Sequence, residues 1–159
     1  MKKINFFLVF ILFFTCIVAK SQTNEKNNDK DLWVNSFEKA KLVASKKKVS
    51  ILLFFTGTDT CKNCIKMRQN ILDSKEFIEY SRNNFVMLHV DYPNAKTNKL
   101  SPIQLKKNKE LVAKYNPQGK IPQIVILEPK GGVKATANYL DIPVSEYLPQ
   151  FIALLNMFK

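Results

Sequence analysis

Residues 49–67, VSILLFFTGTDTCKNCIKM, place two cysteines shortly after a run of apolar side chains. The run at 49–55 is too short for a helix of its own and is rich in strand-forming residues. That composition is typical of a strand buried on both faces, as in a parallel sheet. The pattern then predicts a helix from about Cys61 to Leu72. The local structure to explain is therefore a buried strand followed by a helix that opens with Cys61 and Cys64.

A metal clip and a structural staple are two interpretations of this cysteine pair. A structural zinc site needs four ligands, usually in two pairs. Besides this pair the chain offers one histidine, His89, in the middle of a predicted strand, where a packed or edge-facing side chain is the simpler interpretation. We therefore expect no metal within one copy of the chain. A disulfide between Cys61 and Cys64 closes a very small loop and stabilises a fold weakly, but this interpretation stays open.

A redox pair is the third interpretation, and it uses more of the local features. A helix N-terminus points free N–H groups and the positive end of the dipole at Cys61, which favours its thiolate. Cys64 lies three residues further on, on the same helix face, where it can attack a mixed disulfide formed at Cys61. Cys61 is then the nucleophile and Cys64 the resolving thiol. Lys62 adds positive charge and lowers the pKa of Cys61 further, unless it is simply a solvated lysine.

Outward from this segment, apolar periodicity predicts four more helices and three more strands. The helices are expected at 31–48, 73–82, 106–115 and 144–158, and the strands at 85–92, 123–128 and 133–140. The sequence DSKE at 73–76 resembles a capping box that starts the second of these helices, and residues 93–104, which include Pro102, are interpreted as loop. The last two strands join through the turn at 129–132 as an antiparallel pair. Pro149 suits the final helix only if the regular helix begins about one residue earlier; otherwise it kinks the first turns. The element order predicts an α/β sandwich, with a mixed central sheet and helices on both faces.

Pro122 immediately precedes the predicted strand at 123–128. A proline cannot donate to a sheet ladder, which suits the start of a strand. If the Ile121–Pro122 bond is cis, it turns the backbone of Ile121 outward beside the sulfurs, where an extended substrate can pair with it. An ordinary trans proline at a strand start is the alternative.

The first 21 residues have the features of a secretory signal peptide. Two lysines precede an apolar stretch from Phe6 to Ala19, and a small-x-small site follows. We expect a cleaved signal at 1–21, a disordered leader at 22–30 and one folded domain at 31–159. The alternatives are an uncleaved membrane anchor and lipid attachment at Cys16. Cleavage leaves no membrane span and an even pair of cysteines, in a compartment where disulfides persist.

The chain has a formal net charge of +12, which becomes +9 without the signal and its three lysines. Nucleic-acid binding would favour arginines and aromatics among the lysines. The chain has only two arginines, Arg68 and Arg82, so we expect no nucleic-acid partner. A solvated basic face is the simpler explanation, and acidic partners remain an alternative.

FFTGTDTCKNCIKM, followed by NKELVAKYNPQGKIPQIVILEPKGG, resembles the thioredoxin superfamily. The likeness is to secreted or periplasmic Dsb-type thiol:disulfide interchange proteins, and it extends over about residues 31–158. It implies a thioredoxin-like three-layer sandwich, a redox-active Cys61/Cys64 pair and a cis Pro122. It also implies substrate docking along Ile121 and no dissociable cofactor.

Three features depart from the family pattern. Thr60 stands where many members have tryptophan, which alters the substrate surface. Phe55 stands where cytoplasmic thioredoxins have a buried aspartate that assists proton transfer from the resolving thiol, so Cys64 must use water or another group. Lys62 and Asn63 replace Gly-Pro, so the direction of electron flow is open, and we favour a reductase.

We therefore expect an exported thiol–disulfide oxidoreductase, periplasmic or secreted and monomeric, that acts on protein thiols and disulfides. An upstream redox partner would restore its active form. The alternative is a thioredoxin-fold binding or scaffold module with a structural disulfide. A third hypothesis is a dedicated electron donor in the maturation of metal or haem proteins.

Overall fold

The protein is described by a computed structural model that covers residues 32–57, 61–93 and 100–159. The predicted signal and leader, and Thr60, lie outside the described residues. The strands are β1 (Trp33–Val34), β2 (Ser50–Thr56), β3 (Phe85–Asp91), β4 (Gln123–Leu127) and β5 (Val133–Asn138). The helices are α1 (Phe37–Lys47), α2 (Lys62–Lys66), α3 (Lys75–Ser81), α4 (Pro102–Tyr115) and α5 (Val144–Asn156), and a π-helical segment, Met67–Leu72, continues α2.

The strands form one mixed sheet in the order β1-β3-β2-β4-β5. β3 is parallel to both β1 and β2, whereas β4 runs antiparallel to β2 and to β5. Every residue of β2 and β4 is buried, which agrees with their near-continuous apolar sequences. The predicted mixed central sheet is confirmed.

Alternate side chains of β2 belong to two hydrophobic cores on opposite faces of the sheet. Leu52 and Phe54 pack with core residues of α2, α3, α5 and the π-helical segment. Ile51, Leu53 and Phe55 pack with core residues of α1 and α4. This division follows from the two-residue period of a strand. Helices therefore cover both faces, and the predicted three-layer sandwich is confirmed.

Strand direction brings three segments to one edge of the sheet. Because β2 and β3 are parallel, Thr56 and Asp91 pair at their carboxyl ends. β4 runs the opposite way, so Gln123, its first residue, pairs with Phe55 at the same edge. The Pro122 turn, Gly57 after the end of β2 and the end of β3 therefore meet there.

The first helix begins later than predicted. Trp33 was expected in a helix but lies in β1, where it pairs with Met87 of β3. Ser36 caps the helix instead, because its side chain accepts the backbone N–H of Lys39 at 3.2 Å. The prediction that the helical pattern starts near residue 31 is wrong for this reason.

Helix α4 begins earlier than predicted. The segment before residue 106 was interpreted as loop, but α4 starts at Pro102, with Ser101 as its N-cap. Proline suits a first helical position because the missing N–H would have no helical partner there. The prediction missed this combination of a serine cap followed by proline.

The caps and interruptions of α3 and α5 also differ in detail from the sequence pattern. Ser74 caps α3 by accepting the N–H of Phe77 at 3.2 Å. The sequence DSKE suggested a capping box that would begin one residue earlier, at Asp73. Helix α5 begins at Val144, as predicted, and Pro149 lies inside it, so of the two alternatives for Pro149 the one with a regular helix that begins beside it does not apply.

Within the described residues, no helix is both long enough and apolar enough to cross a membrane.

Candidate active site

Cys61 and Cys64 lie where the chain enters helix α2. Cys61 is the N-cap residue, and its Sγ accepts the backbone N–H of Cys64 at 3.2 Å. The two sulfurs form a disulfide, and their Cα atoms are 5.2 Å apart. The N–H that reaches Cys61 is one that a helix N-terminus leaves without a helical partner. Such a donor stabilises negative charge on the sulfur, so the position suits a thiolate.

The two cysteines differ in exposure. Cys61 is partly buried at the surface of the core, whereas Cys64 is only 4 % exposed and is a core residue. An incoming substrate sulfur therefore reaches Cys61 more easily than Cys64. This asymmetry is the one expected of a nucleophile and a resolving thiol.

The Ile121–Pro122 turn lies beside the end of β2. Its peptide bond is cis, as the family resemblance implies, and Ile121 is 46 % exposed. A Cβ atom at Gly57 would meet Cδ1 of Ile121, so the backbone of Gly57 leaves room for this side chain. A cleft of about 340 Å³ opens here, lined by Ile121 and Gly57 and by Tyr92, Val112 and Asn116. The exposed Ile121 therefore borders a concave surface at the edge of the sheet where β2 ends and β4 begins.

Lys62 is exposed at the first position of α2, adjacent to Cys61 in the chain. Thr60 lies outside the described residues, so its expected contribution to the substrate surface stays a prediction. The influence of Lys62 on the thiolate of Cys61 is likewise still a prediction.

Phe55 does not occupy the surroundings of Cys64. Phe55 packs in the core beneath α1 and α4, whereas Cys64 packs in the core beneath α2, α3 and α5. The sheet separates the two side chains. The expectation that Cys64 gives its proton to water or to a group other than residue 55 stays a prediction, and the side chains beside Cys64 lie on the face of Phe54 and Thr56.

A polar cluster of Thr56, His89 and Asp91 lies on that face. Thr56 Oγ1 donates to Asp91 Oδ1 at 2.7 Å and lies 2.7 Å from His89 Nε2. The His89 ring stacks on Phe54, with centroids 5.5 Å apart. A packed strand histidine was predicted, and the ring does pack, but its link to Thr56 and Asp91 was missed.

Electrostatics around His89 favour its neutral form. Part of the side chain is exposed, but burial of the ring is the largest influence and lowers its pKa. The charge of Asp91 raises the pKa and that of Arg68 lowers it, so these two partly cancel. The direction of the shift in the pKa of His89 therefore favours the neutral ring.

The cluster and the resolving cysteine line one cavity of about 170 Å³. Thr56, His89 and Asp91 contribute polar side chains to its lining, and Cys64 and Ile65 of α2 also line it. The buried Cys64 and the titratable side chains of His89 and Asp91 therefore line the same cavity. Sequence reasoning had one signal for it: His89 and Asp91, two residues apart, must share a sheet face.

Among the described residues, no group of three or more histidine, cysteine or acidic side chains is arranged to hold a metal ion. The candidate site therefore comprises the cysteine pair, the Ile121–Pro122 turn and the polar cluster of Thr56, His89 and Asp91.

A family model described as thioredoxin-like matches residues 32–129. "Disulfide bond reductase DsbH" from Chlamydia pneumoniae is 41 % identical over 81 residues, which is 51 % of this chain and 47 % of that protein. "Thioredoxin-related protein DsbJ" from the same organism is 28 % identical over 67 residues, 42 % of this chain and 19 % of that protein. The chain thus spans about half or less of the length of these curated relatives.

Solved structures show the same fold. A "DsbH Oxidoreductase" superposes with a TM-score of 0.66 at 29 % identity, covering 79 % of this chain and 88 % of that one. A disulphide isomerase from Xylella fastidiosa Temecula1 gives a TM-score of 0.57 at 20 % identity, covering 75 % and 87 %, and supports the fold alone. The likeness to DsbH and DsbJ confirms the predicted Dsb-type resemblance. Since the family model matches more than half of the chain, the protein belongs to the thioredoxin-like family.

Proposed function

We propose that the protein is an exported thiol–disulfide oxidoreductase that reduces disulfides in protein substrates. The observation that carries the proposal is the asymmetric pair at the start of α2, an accessible Cys61 that accepts an N–H and a buried Cys64. The similarity to a protein named disulfide bond reductase favours the reductive direction.

The proposed reaction has two exchanges. In the reduced protein, the Cys61 thiolate attacks one sulfur of a substrate disulfide, and the other substrate sulfur leaves as a thiolate. Cys64 then loses its proton and attacks Sγ of Cys61, which forms the Cys61–Cys64 disulfide and releases the second substrate thiol. An upstream dithiol donor returns the pair to its reduced form.

The substrate surface is proposed to comprise Thr60, Ile121 and Pro122. The exposed Ile121 and the cleft beside it support docking of an extended substrate segment. Lys62 is proposed to favour the thiolate of Cys61 by its positive charge. No dissociable cofactor takes part in this reaction.

Export is proposed from the signal-like residues 1–21, with the mature protein starting near Gln22 in the periplasm or outside the cell. The proposed partners are protein thiols and disulfides and one upstream redox protein, and the proposed oligomeric state is a monomer.

Variants of the two cysteines test the function. We expect Cys61→Ser to abolish reduction of a disulfide-bonded protein substrate. Cys64→Ser removes the resolving thiol, so the mixed disulfide at Cys61 should accumulate and be visible by intact-protein mass spectrometry. If Cys61→Ser reduced the substrate as fast as wild type, the pair would be only a structural staple and the binding-module alternative would replace the enzyme.

A further inference from the structure

The resolving thiol, Cys64, needs a proton acceptor, and the residue that supplies it in the family pattern is absent from this protein. Cys64 is 4 % exposed, and burial in apolar surroundings disfavours a thiolate. Only the thiolate attacks a disulfide, so Cys64 must give up its proton as it reacts. The side chain at position 55 is an apolar phenylalanine on the other side of the sheet.

We propose that His89 accepts this proton across the cavity, held in the required tautomer by Thr56 and Asp91. This inference rests on the proposed oxidoreductase function and assigns a further catalytic group to its second exchange.

The hydrogen bonds fix which nitrogen of His89 is free to act. Thr56 has one hydroxyl proton and donates it to Asp91. Nε2 of His89 must then be the donor in its contact with Thr56. In the neutral ring this leaves Nδ1 unprotonated, and Nδ1 has no hydrogen-bond partner among the described residues. Thr56 and Asp91 therefore determine that Nδ1 is the unprotonated nitrogen of the neutral His89 ring.

The charge state of His89 suits an acceptor at neutral pH. Its ring stacks on Phe54, and burial lowers its pKa although the residue as a whole is exposed. The charged groups that face it are Asp91 from β3 and Arg68 from the π-helical segment, and they act in opposite directions. Arg68 is itself held by Asp73, whose two carboxylate oxygens lie 2.8 and 2.9 Å from its Nε.

The cavity supplies the route. Its volume of about 170 Å³ exceeds the roughly 10–15 Å³ that one water needs, and its wall is polar on the side of Thr56, His89 and Asp91. Because Cys64 and His89 both line this cavity, water in it can carry the proton from Sγ of Cys64 to the imidazole.

The step balances as follows. The Cys64 S–H bond breaks and its proton goes to His89, which becomes imidazolium. The sulfur electron pair forms the Cys64–Cys61 bond, the bond between Cys61 and the substrate sulfur breaks, and the substrate leaves as a thiolate. Imidazolium or solvent then protonates that thiolate, so two protons and two electrons end on the substrate over the whole reaction.

The experiment separates the two exchanges. Reduced mature protein is mixed with glutathione disulfide, quenched in acid at a series of times and analysed by intact mass, which resolves the mixed disulfide from the final Cys61–Cys64 disulfide. His89→Gln keeps an N–H donor for Thr56 but cannot take up the proton. We expect it to form the mixed disulfide within twofold of the wild-type rate and to resolve it at least tenfold more slowly at pH 7.

The pH profile distinguishes a proton acceptor from a packing residue. Wild-type resolution should rise with the neutral fraction of His89 and level off above its pKa. In His89→Gln it should keep rising with pH, so that the difference shrinks to less than threefold at pH 9. Because His89 is the only histidine, its NMR titration gives an unambiguous midpoint for comparison. A wild-type rate profile whose midpoint differed from that titration would overturn the proposal without any substitution.

Matched variants control for the cavity and the tautomer. Gln69 also lines the cavity but does not titrate, so Gln69→Ala should resolve the mixed disulfide at the wild-type rate. Thr56→Val should slow resolution several-fold, and Thr56→Ser should restore it. If Asp91→Asn slowed resolution tenfold and His89→Gln did not, the carboxylate would be the acceptor and the assignment to His89 would be overturned.

Failure of this inference differs from failure of the proposed function. If wild type formed no mixed disulfide with glutathione disulfide, the oxidoreductase function would fall, and the role of His89 with it. If wild type formed and resolved the mixed disulfide and His89→Gln resolved it equally fast, only the role of His89 would fall.

Discussion

Cys61 and Cys64 carry the same thiol group but lie in different surroundings. Cys61 is the partly buried N-cap of α2, whereas Cys64 is a buried residue of the core. The N–H that reaches Cys61 favours charge on that sulfur, and burial opposes charge on the other. The division of work that we propose for the two thiols follows from position, and in the proposed reaction it makes removal of the proton from Cys64 the demanding event.

The titration of His89 has a consequence for stability. Folding lowers the pKa of His89 through burial, so the unfolded chain binds more protons than the folded protein below the usual value of about 6.5. The free energy of unfolding should therefore fall as pH drops from about 7 towards the folded pKa. Urea denaturation between pH 5.5 and 7.5 measures this slope. His89→Gln removes the titration and should flatten it; an equally steep slope in that variant would assign the effect to other groups.

Gly57 provides a second test at the scale of single residues. In Gly57→Ala the new methyl group would meet the end of the Ile121 side chain, which can swing aside because it is partly exposed. We expect a loss of about 1 kcal/mol in the free energy of unfolding, at the low end of overpacking costs. Reduction of an extended protein substrate should slow more than reduction of glutathione disulfide.

The double variant Gly57→Ala with Ile121→Ala is the control for the loss of stability, because removing the Ile121 side chain restores room for the methyl group. If Gly57→Ala alone left the two substrates equally affected, Ile121 would not belong to the substrate surface.

The positions of Cys61 and Cys64 at a helix start and of Pro122 before a strand could be predicted, because each is marked by its residue type at an element boundary, whereas the cis bond at Pro122 came from the family resemblance. The sequence was not sufficient for the polar cluster. That cluster depends on the parallel register that sets Phe54 beside His89 and Thr56 beside Asp91. A single sequence carries no signal for register between strands 33 residues apart.

At the scale of elements, helix α1 ends with an unusual residue. Lys48 has φ 56° and ψ 42°, a left-handed conformation, and its N–H bonds to the carbonyl of Ala44. A side chain in this region costs roughly 1–2 kcal/mol, and glycine avoids that cost.

We therefore expect Lys48→Gly to raise the free energy of unfolding by about 1 kcal/mol in urea denaturation. Lys46→Gly is the matched control, since Lys46 is an exposed lysine inside the same helix and glycine there should cost about 0.5–1 kcal/mol. Destabilisation by both variants would show that the end of α1 gains nothing from glycine.

Helices and strands with strong periodicity were predicted, and the errors have local causes. β1 has only two residues and no periodic pattern of its own, so Trp33 was assigned to the apolar pattern of the following helix. The start of α4 was missed because Pro102 was interpreted as a loop residue rather than a first helical residue after the Ser101 cap. Such errors move boundaries by a few residues without changing the layers.

At the scale of the whole molecule, the alternation of apolar strand patterns with helix patterns along the chain was enough to predict the three-layer sandwich. The order β1-β3-β2-β4-β5 needed the structure, because strand pairing depends on long-range packing rather than on local pattern. That order is what brings β2, β3 and the Pro122 turn to one edge, so the site is a product of the whole sheet.

The central claim, that Cys61 and Cys64 are a reductive redox pair, is tested most directly by the reduction potential of the mature protein in graded thiol buffers. We expect a value near roughly −270 mV, as for reductants of the thioredoxin kind. A value near roughly −120 mV would contradict the reductive direction. A pair that stayed oxidised below about −300 mV would behave as a structural disulfide and would contradict the claim itself.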